Sequence, residues 1–543
     1  MKLSDLTKSE RKVWQAAATG TLVDLRVGDS KLDSPEKWAE WGTERTVRAE
    51  VVADLLIGDG EAASVAIRGV RLRGARIVGD LNLEAATLRC PLALLDCSFA
   101  SAITLDEATA VSVRLSGSHV PTVRARQLRT RGDLRLDEGF SVSGGVELAA
   151  AHIGGVLACT GGQFSNPIGS ALIADGLTVD QDMVCSEGFS AIGEVRLIGA
   201  HIGGVLVCTG GQFSNSGGPA LNADGLTVDG DMFCRPGFSA IGEVRLPGAH
   251  IGGQLACTGG QFSNPSGSAL TAGRLTVDGS MFCNKGFSAI GEVRLIGAHI
   301  GGVLDCTEGQ FSNPSGSALD LERVTVSGPL RMESAVLQGI LDLTAATTSS
   351  YHDNPASWPQ RLRLDRFVYD TIEGALAKER LEWLLRNESG YSPQIYEQLA
   401  AVYRRTGRDE DARRVLIAKQ RRRSAEGNLS GKVWGLLLYW TVGYGYRTWL
   451  AVLWLAGLLA LGTVLFEYVY RGDLTLANKP DVPPPFQPFL YTLDLLLPVA
   501  SLHVRDSWIA HGAAQWWSVF FIVMGWILAT AVVLSLTGLL KRD

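Results

Sequence analysis

The sequence predicts a mainly-β fold, a parallel β-solenoid of about 23–26 residues per coil, from three features of its centre. His152, His201, His250 and His299 stand 49 residues apart, and Phe164, Phe213, Phe262 and Phe311 keep the same step. Cys159, Cys185, Cys208, Cys234, Cys257, Cys283 and Cys306 are separated alternately by 26 and 23 residues, so each 49-residue unit holds two coils. Around each Cys runs a short alternating segment such as Val205-Leu206-Val207-Cys208, bounded by Gly, Asn, Asp and Pro. Alternation reads as strand and those residues as turns. Stacked coils set equivalent residues about 4.8 Å apart, and each coil buries its apolar side only under a neighbour.

Residues 1–62 read as an N-terminal helical cap. Ser9 to Trp14 form one helical segment, and Ser34 before Pro35 is an N-cap opening a second that is expected to run through Val51, Val52, Leu55 and Leu56. Its role is to cover the first rung, whose open edge would otherwise accept a foreign strand. The solenoid is assigned to residues 63–347, and it begins irregularly. Val70 to Gly79 shows a five-residue beat, with a small or branched residue two places before each Leu or Ile. This stretch resembles the pentapeptide-repeat proteins, and the resemblance implies a right-handed β-helix. The later coils are too long for that family's square cross-section, so their corners must bulge into loops such as Phe213 to Gly218.

Residues 348–431 read as a helical spacer, with helical patterning from Phe367 to Asn387 and from Pro393 to Arg423. Leu399, Ala400, Tyr403, Gly407, Ala412 and Leu416 resemble a tetratricopeptide-type hairpin, with Lys419 where that motif carries a small residue. A single hairpin serves as a spacer, because peptide grooves need several stacked.

Residues 432–543 read as a membrane domain with spans at about 449–470 and 518–540, each long enough to cross the hydrocarbon. Glu467 is their only formal charge. Arg421, Arg422, Arg423, Lys432 and Arg447 precede the first span, and Lys541 and Arg542 follow the second. The positive-inside rule then puts both termini and the solenoid in the cytoplasm. Tyr468, Tyr470, Trp516 and Trp517 would form an aromatic belt at the opposite interface. The N-terminus shows no apolar signal-peptide core. Between the spans, Phe489 to Pro498 is apolar but short, which suggests a re-entrant segment with Asp494 as its one charge and Pro498 at its end. Thr441-Val442-Gly443-Tyr444-Gly445 matches the potassium-channel selectivity filter in letters, but it precedes the first span and is read as interfacial.

A formal charge of −6 argues against a general nucleic-acid binder. The cysteine column accepts Leu136 one coil before Cys159 and Met332 one coil after Cys306, so it reads as core packing. The histidines recur every second coil, about 9.6 Å apart, too far to share one metal ion. They are expected at corners, bonded to turns. No nucleophile elbow, Walker loop or His-Glu-x-x-His is present, so no catalytic, cofactor or metal residues are assigned. Glu194/Arg196, Glu243/Arg245 and Glu292/Arg294 alternate with inward Val and Leu and form the candidate interaction face. The whole arrangement resembles a group of bacterial membrane-associated repeat proteins, some of which carry an oxidoreductase label that no residue here justifies. The resemblance implies the bacterial inner membrane as location. The expected function is a membrane-anchored, non-catalytic scaffold that meets the lipid bilayer and an unidentified protein partner, with self-association into a homo-oligomer left open. An ion channel or membrane sensor on the C-terminal hairpin is the alternative, and an oxidoreductase the second alternative.

Overall fold

The computed structural model describes residues 5–29, 31–58, 67–426, 449–469, 471–477, 485–497 and 502–540. The chain divides into two compact units, Met1–Gly390 and Tyr391–Asp543. The first is a parallel β-solenoid of about 13 turns with helical caps. An early turn is four two-residue strands, Thr109–Ala110, Val113–Arg114, His119–Val120 and Val123–Arg124, joined by tight corners. In the 49-residue units the last two sides fuse into one longer strand, Gln163–Ile173 in a long coil and Ser190–Arg196 in the short coil that follows. His201 pairs with Thr178 on one side and Thr227 on the other, so the histidines are two coils apart.

The interior includes two columns of identical side chains beside ladders of Leu, Met, Ile and Val. Phe140, Phe164, Phe189, Phe213, Phe238, Phe262, Phe287 and Phe311 form an unbroken stack with neighbouring ring centroids 5.1 to 5.7 Å apart. All are at most 2% exposed, and aromatic pairs at this spacing add to their area burial. The seven cysteines form the second column, free and buried. The strand register aligns Leu134 with Leu157 and Asp305 with Arg331, so Leu136 and Met332 do sit above and below the thiols.

Corners are tied from coil to coil. Asp133, Asp182 and Asp231 accept the amide hydrogens of Val156, Val205 and Gln254 at 3.0, 2.8 and 2.7 Å. Ser280 does the same for Val303 at 3.0 Å. The second glycine of each Gly-Gly pair lies against that oxygen, where a Cβ on Gly204 would collide with the Asp182 carboxylate.

The N-terminal cap combines helix with strand. Helix α1, Lys8–Ala17, starts in a Thr7/Glu10 capping box, and α2, Ala49–Ile57, buries Val51, Val52, Leu55 and Leu56 completely. The continuous helix expected from Pro35 is instead a 3-10 segment, Pro35–Glu40, a second short turn, and a strand, Thr46–Arg48. That strand pairs with Arg76–Val78, and Val23–Asp24 pairs with Leu72 and Arg73. Satisfying the edge amides of the first rung outweighs the helical pattern there. Glu10 binds the Arg48 guanidinium through two 2.8 Å contacts. Burial pushes its carboxyl up, but the bonds from Arg48 and from the Thr7 and Arg48 amides overcome that and hold it at about 2.

The ladder also runs past Thr347. Strands Thr347–His352, Arg361–Arg363 and Val368–Glu373 continue it, the last replacing helical patterning expected from Phe367. Helix α3, Ala377–Leu385, follows. It brings Arg380 onto Asp353, a pair with no exposed side-chain surface, in which Asp353 also accepts Trp358 Nε1 at 2.8 Å. The Tyr351, Trp358 and Trp383 rings surround the guanidinium at 5.2 to 5.9 Å. A fully buried charge is tolerated because it is paired, hydrogen-bonded and ringed by π faces.

In the second unit, α4 (Pro393–Arg405) and α5 (Asp409–Glu426) pack as a hairpin with Leu399, Ala400, Tyr403, Ala412 and Leu416 buried. Lys419, its side chain largely covered, reaches Glu397. Helix α6, Trp449–Val464, continues as a π-helical turn to Val469; α7 is Pro488–Leu496 and α8 is Gly512–Leu540. Two segments, Val452–Val469 and Gly512–Thr530, are long and apolar enough to cross a membrane. An antiparallel strand pair, Leu474–Leu476 with Trp508–Ala510, ties the end of the first to the start of the second.

Two outcomes follow from the packing. Phe238→Ala should lower the unfolding free energy by about 3–5 kcal/mol, whereas Cys208→Val, at a position that elsewhere holds Leu or Met, should cost less than about 1.5 kcal/mol in the same chemical denaturation. Equal costs would contradict the assignment of the two columns. Because the folded-state value for Glu10 lies below its ordinary 4.5, its contribution is complete above that pH and is lost as pH falls toward about 2. Fluorescence of the buried Trp14 should report fraying of the cap in that window, and Glu10→Gln should abolish the transition.

Candidate functional site

The outward surface of the fused strands is where the repeat becomes specific. Register is kept from Gln163 to Ser165 against Ser190 to Ile192 and resumes at Leu172 against Val195. Seven steps on the long coil therefore match three on the short one. Those four extra residues, less one gained by the short coil between its Cys and its strand, give the difference between 26 and 23. The excess is a loop closed by its own asparagine: Asn166, Asn215, Asn264 and Asn313 Nδ2–H donate to the carbonyl four residues on at 3.0, 2.8, 2.9 and 2.9 Å. Gly193, Gly242 and Gly291 of the intervening short coils lie beneath these loops at φ of 114 to 118°. A Cβ on Gly242 would collide with the Asn215 and Gly218 carbonyl oxygens, so both conformation and space require glycine there.

Because loops occur on alternate coils, a gap separates each from the next. Between residues 215–219 and 263–266 it is a groove of about 380 Å³ floored by Ile241, Gly242 and Glu243. Ile192, Ile241 and Ile290 are the equivalent floor residues, and they are 47, 53 and 47% exposed on strands whose neighbouring Ala and Val are buried.

The six charged residues singled out from sequence lie on this same face. Arg196 binds Asp175 at 2.7 Å and Arg245 binds Asp224 at 2.8 Å, while at the third pair Gly273 replaces that aspartate and Arg294 lies 3.7 Å from Glu292. Glu194 accepts Asn222 Nδ2–H at 3.2 Å and Glu243 accepts the Thr271 hydroxyl at 2.5 Å. Burial raises the Glu292 carboxyl above its ordinary range. Of these six residues Glu243 lies in the floor of the groove, while Arg196 and Arg245 are held beside their carboxylate partners. Sequence reasoning placed the loop, at Phe213 to Gly218 for example, but missed its closure by Asn and the exposed isoleucines; the signals were Asn recurring every 49 residues, and Ile at an outward phase of Ser-Ala-Ile-Gly-Glu-Val-Arg.

The histidines occupy strands rather than corners. Their half-exposed rings point outward, and His152, His201 and His250 Nε2 lie 2.9, 3.1 and 3.3 Å from Asp180, Asp229 and Asp278 of the next coil. At His299 the equivalent residue is Ser327. Among the described residues no group of three His, Cys, Asp or Glu side chains could hold a metal ion.

In the second unit, Asp494 is fully buried on α7, which packs against both α6 and α8. Gly462 and Gly525 admit that approach, since a Cβ on either would meet Thr492 or the Leu496 carbonyl. The Asp494 carboxylate accepts the Leu502 and Arg505 amide hydrogens at 2.8 and 2.9 Å, which ties residues 502–505 to α7. Pro498 and the segment Thr441 to Gly445 lie outside the described residues.

Asn215→Ala removes one closure worth about 1 kcal/mol. Amide exchange at Gly217 and Gly218 should quicken relative to the equivalent Ser266 and Gly267 in the same molecule, and unchanged exchange would show that the loop is held otherwise. Comparison with protein-family models, with curated proteins and with solved structures gives no match to this chain.

Proposed function

We propose that this protein is a non-catalytic scaffold: a β-solenoid held at a bacterial inner membrane by its two C-terminal apolar helices, with the solenoid and both termini in the cytoplasm. Its repeated face binds a protein partner. The observation that carries this reading is the series of equivalent Ile-Gly-Glu floors between Asn-closed loops. Exposed large apolar residues recurring in register have no packing role in the monomer, and such patches mark contact sites. Covering each half-exposed Ile adds on the order of 1 kcal/mol, about fivefold in affinity. A partner that engages several floors adds these increments without needing one deep pocket. The basic residues flanking the two apolar helices support the orientation. A homo-oligomer would multiply the same face.

The test is capture from solubilised membranes of the native host. Replacing Ile192, Ile241 and Ile290 by Ser, singly and together, should reduce one specific partner stepwise, by about fivefold per floor. Recovery of the same proteins in the same amounts by the wild type and the triple variant would contradict the assignment.

A further inference from the structure

A second surface of the solenoid, far in sequence from the repeated face, has the chemistry of an anion site. Residues 67–135 contain eleven arginines and six carboxylates, whereas residues 136–342 contain eight basic residues and twenty carboxylates. Within the basic coils the register builds an outward column: Arg71 pairs with Ala93, Ala93 with Arg114, and Arg114 with Arg135. Three guanidinium-bearing positions are interrupted by one methyl group. Above Ala93 the missing side chain leaves a cavity of about 390 Å³, walled by Arg71, Arg114, Arg135 and Ser112. By strand spacing, Arg71 and Arg114 flank it from about 9.6 Å apart.

Several outward arginines elsewhere on the solenoid have carboxylate partners: Arg126 with Asp106, Arg196 with Asp175, Arg245 with Asp224, Arg363 with Asp342. Arg135 is likewise neutralised by Asp137 at 2.7 Å. Among the described residues Arg71 and Arg114 are exposed and have no ion-pair partner. Asp133, the one acid in the wall, is turned to the next coil, where it accepts the Val156 amide hydrogen at 3.0 Å. An anion seated between the two guanidinium groups would meet positive charge from both sides. The planar fork of arginine matches the oxygens of a phosphate group, which it can bind in bidentate fashion.

We infer that the notch over Ala93 binds a phosphate group, carried by a small molecule or a lipid headgroup, between Arg71 and Arg114. Full-length protein in neutral detergent at low salt is titrated with inorganic pyrophosphate and, separately, with short-chain phosphatidic acid, by calorimetry. Binding of pyrophosphate points to a soluble source and binding of phosphatidic acid alone to a headgroup, and either supports the site. Arg71→Gln and Arg114→Gln should each weaken binding by about tenfold or more. Ala93→Leu fills the notch without changing charge and should abolish binding. Arg129→Gln, which removes the same charge from a neighbouring side of the solenoid outside the cavity, should leave affinity within about twofold. The inference is overturned if the wild type binds neither probe, if Ala93→Leu binds like the wild type, or if Arg129→Gln weakens binding as much as Arg114→Gln.

Discussion

A coil of this solenoid has no interior of its own. Its inward side chains leave water only when the coils on either side cover them, so the residue that fills a position must suit the residue stacked above and below. The phenylalanine stack and the thiol column are two solutions to that condition. The first gains from ring contacts at 5.1 to 5.7 Å, and the second tolerates any compact apolar group, as Leu136 and Met332 demonstrate. The same condition forces both ends to be closed. At the start the chain lends its own strands, Val23–Asp24 and Thr46–Arg48, to the open edge before laying α2 over it. At the finish it lays down α3 and neutralises Arg380 with Asp353 in full burial.

Parallel stacking copies the outer surface as faithfully as the inner one, and the alternation of coil length decides what that surface becomes. If every coil carried the Asn-closed loop, loops would lie about 4.8 Å apart and fill the space between them. Placing loops on alternate coils doubles the gap and leaves room for a floor. The short coil meets the loop with a glycine in left-handed geometry, and this permits Ile241 and Glu243 to stand open on either side of Gly242. The groove is therefore a consequence of the coil-length difference that the cysteine spacing records.

Much of this is legible in the sequence because period and register are properties of spacing. The two-coil unit, the interchangeable cysteine column and the separation of the histidines all follow from counting. What counting misses is phase and competition. The histidines sit at outward strand positions, since alternation fixes their side only once the register with Thr178 and Thr227 is known. The segment after Pro35 has helical composition, yet the unpaired edge of the first rung draws Thr46–Arg48 into strand. Val368–Glu373 joins the ladder for the same reason at the other end, although its neighbours pattern as helix. The candidate charged residues were visible as an alternating face; the isoleucines on that face were not singled out until the strands showed which way they point. The notch over Ala93 needs the pairing of three separate strands and has no signature within any one of them.

The central claim is that each 49-residue unit advances the solenoid by two coils. Spin labels at Ile168, Ser266 and Ser315, equivalent loop-tip positions in the first, third and fourth units, test it by pulsed electron–electron resonance. The nine native cysteines are buried and should not compete for the label. Two coils per unit predict about 19 Å between positions 168 and 266 and about 29 Å between 168 and 315, from multiples of the strand spacing. Distances near half those values, or a separation that fails to grow in proportion to the number of units, would contradict it.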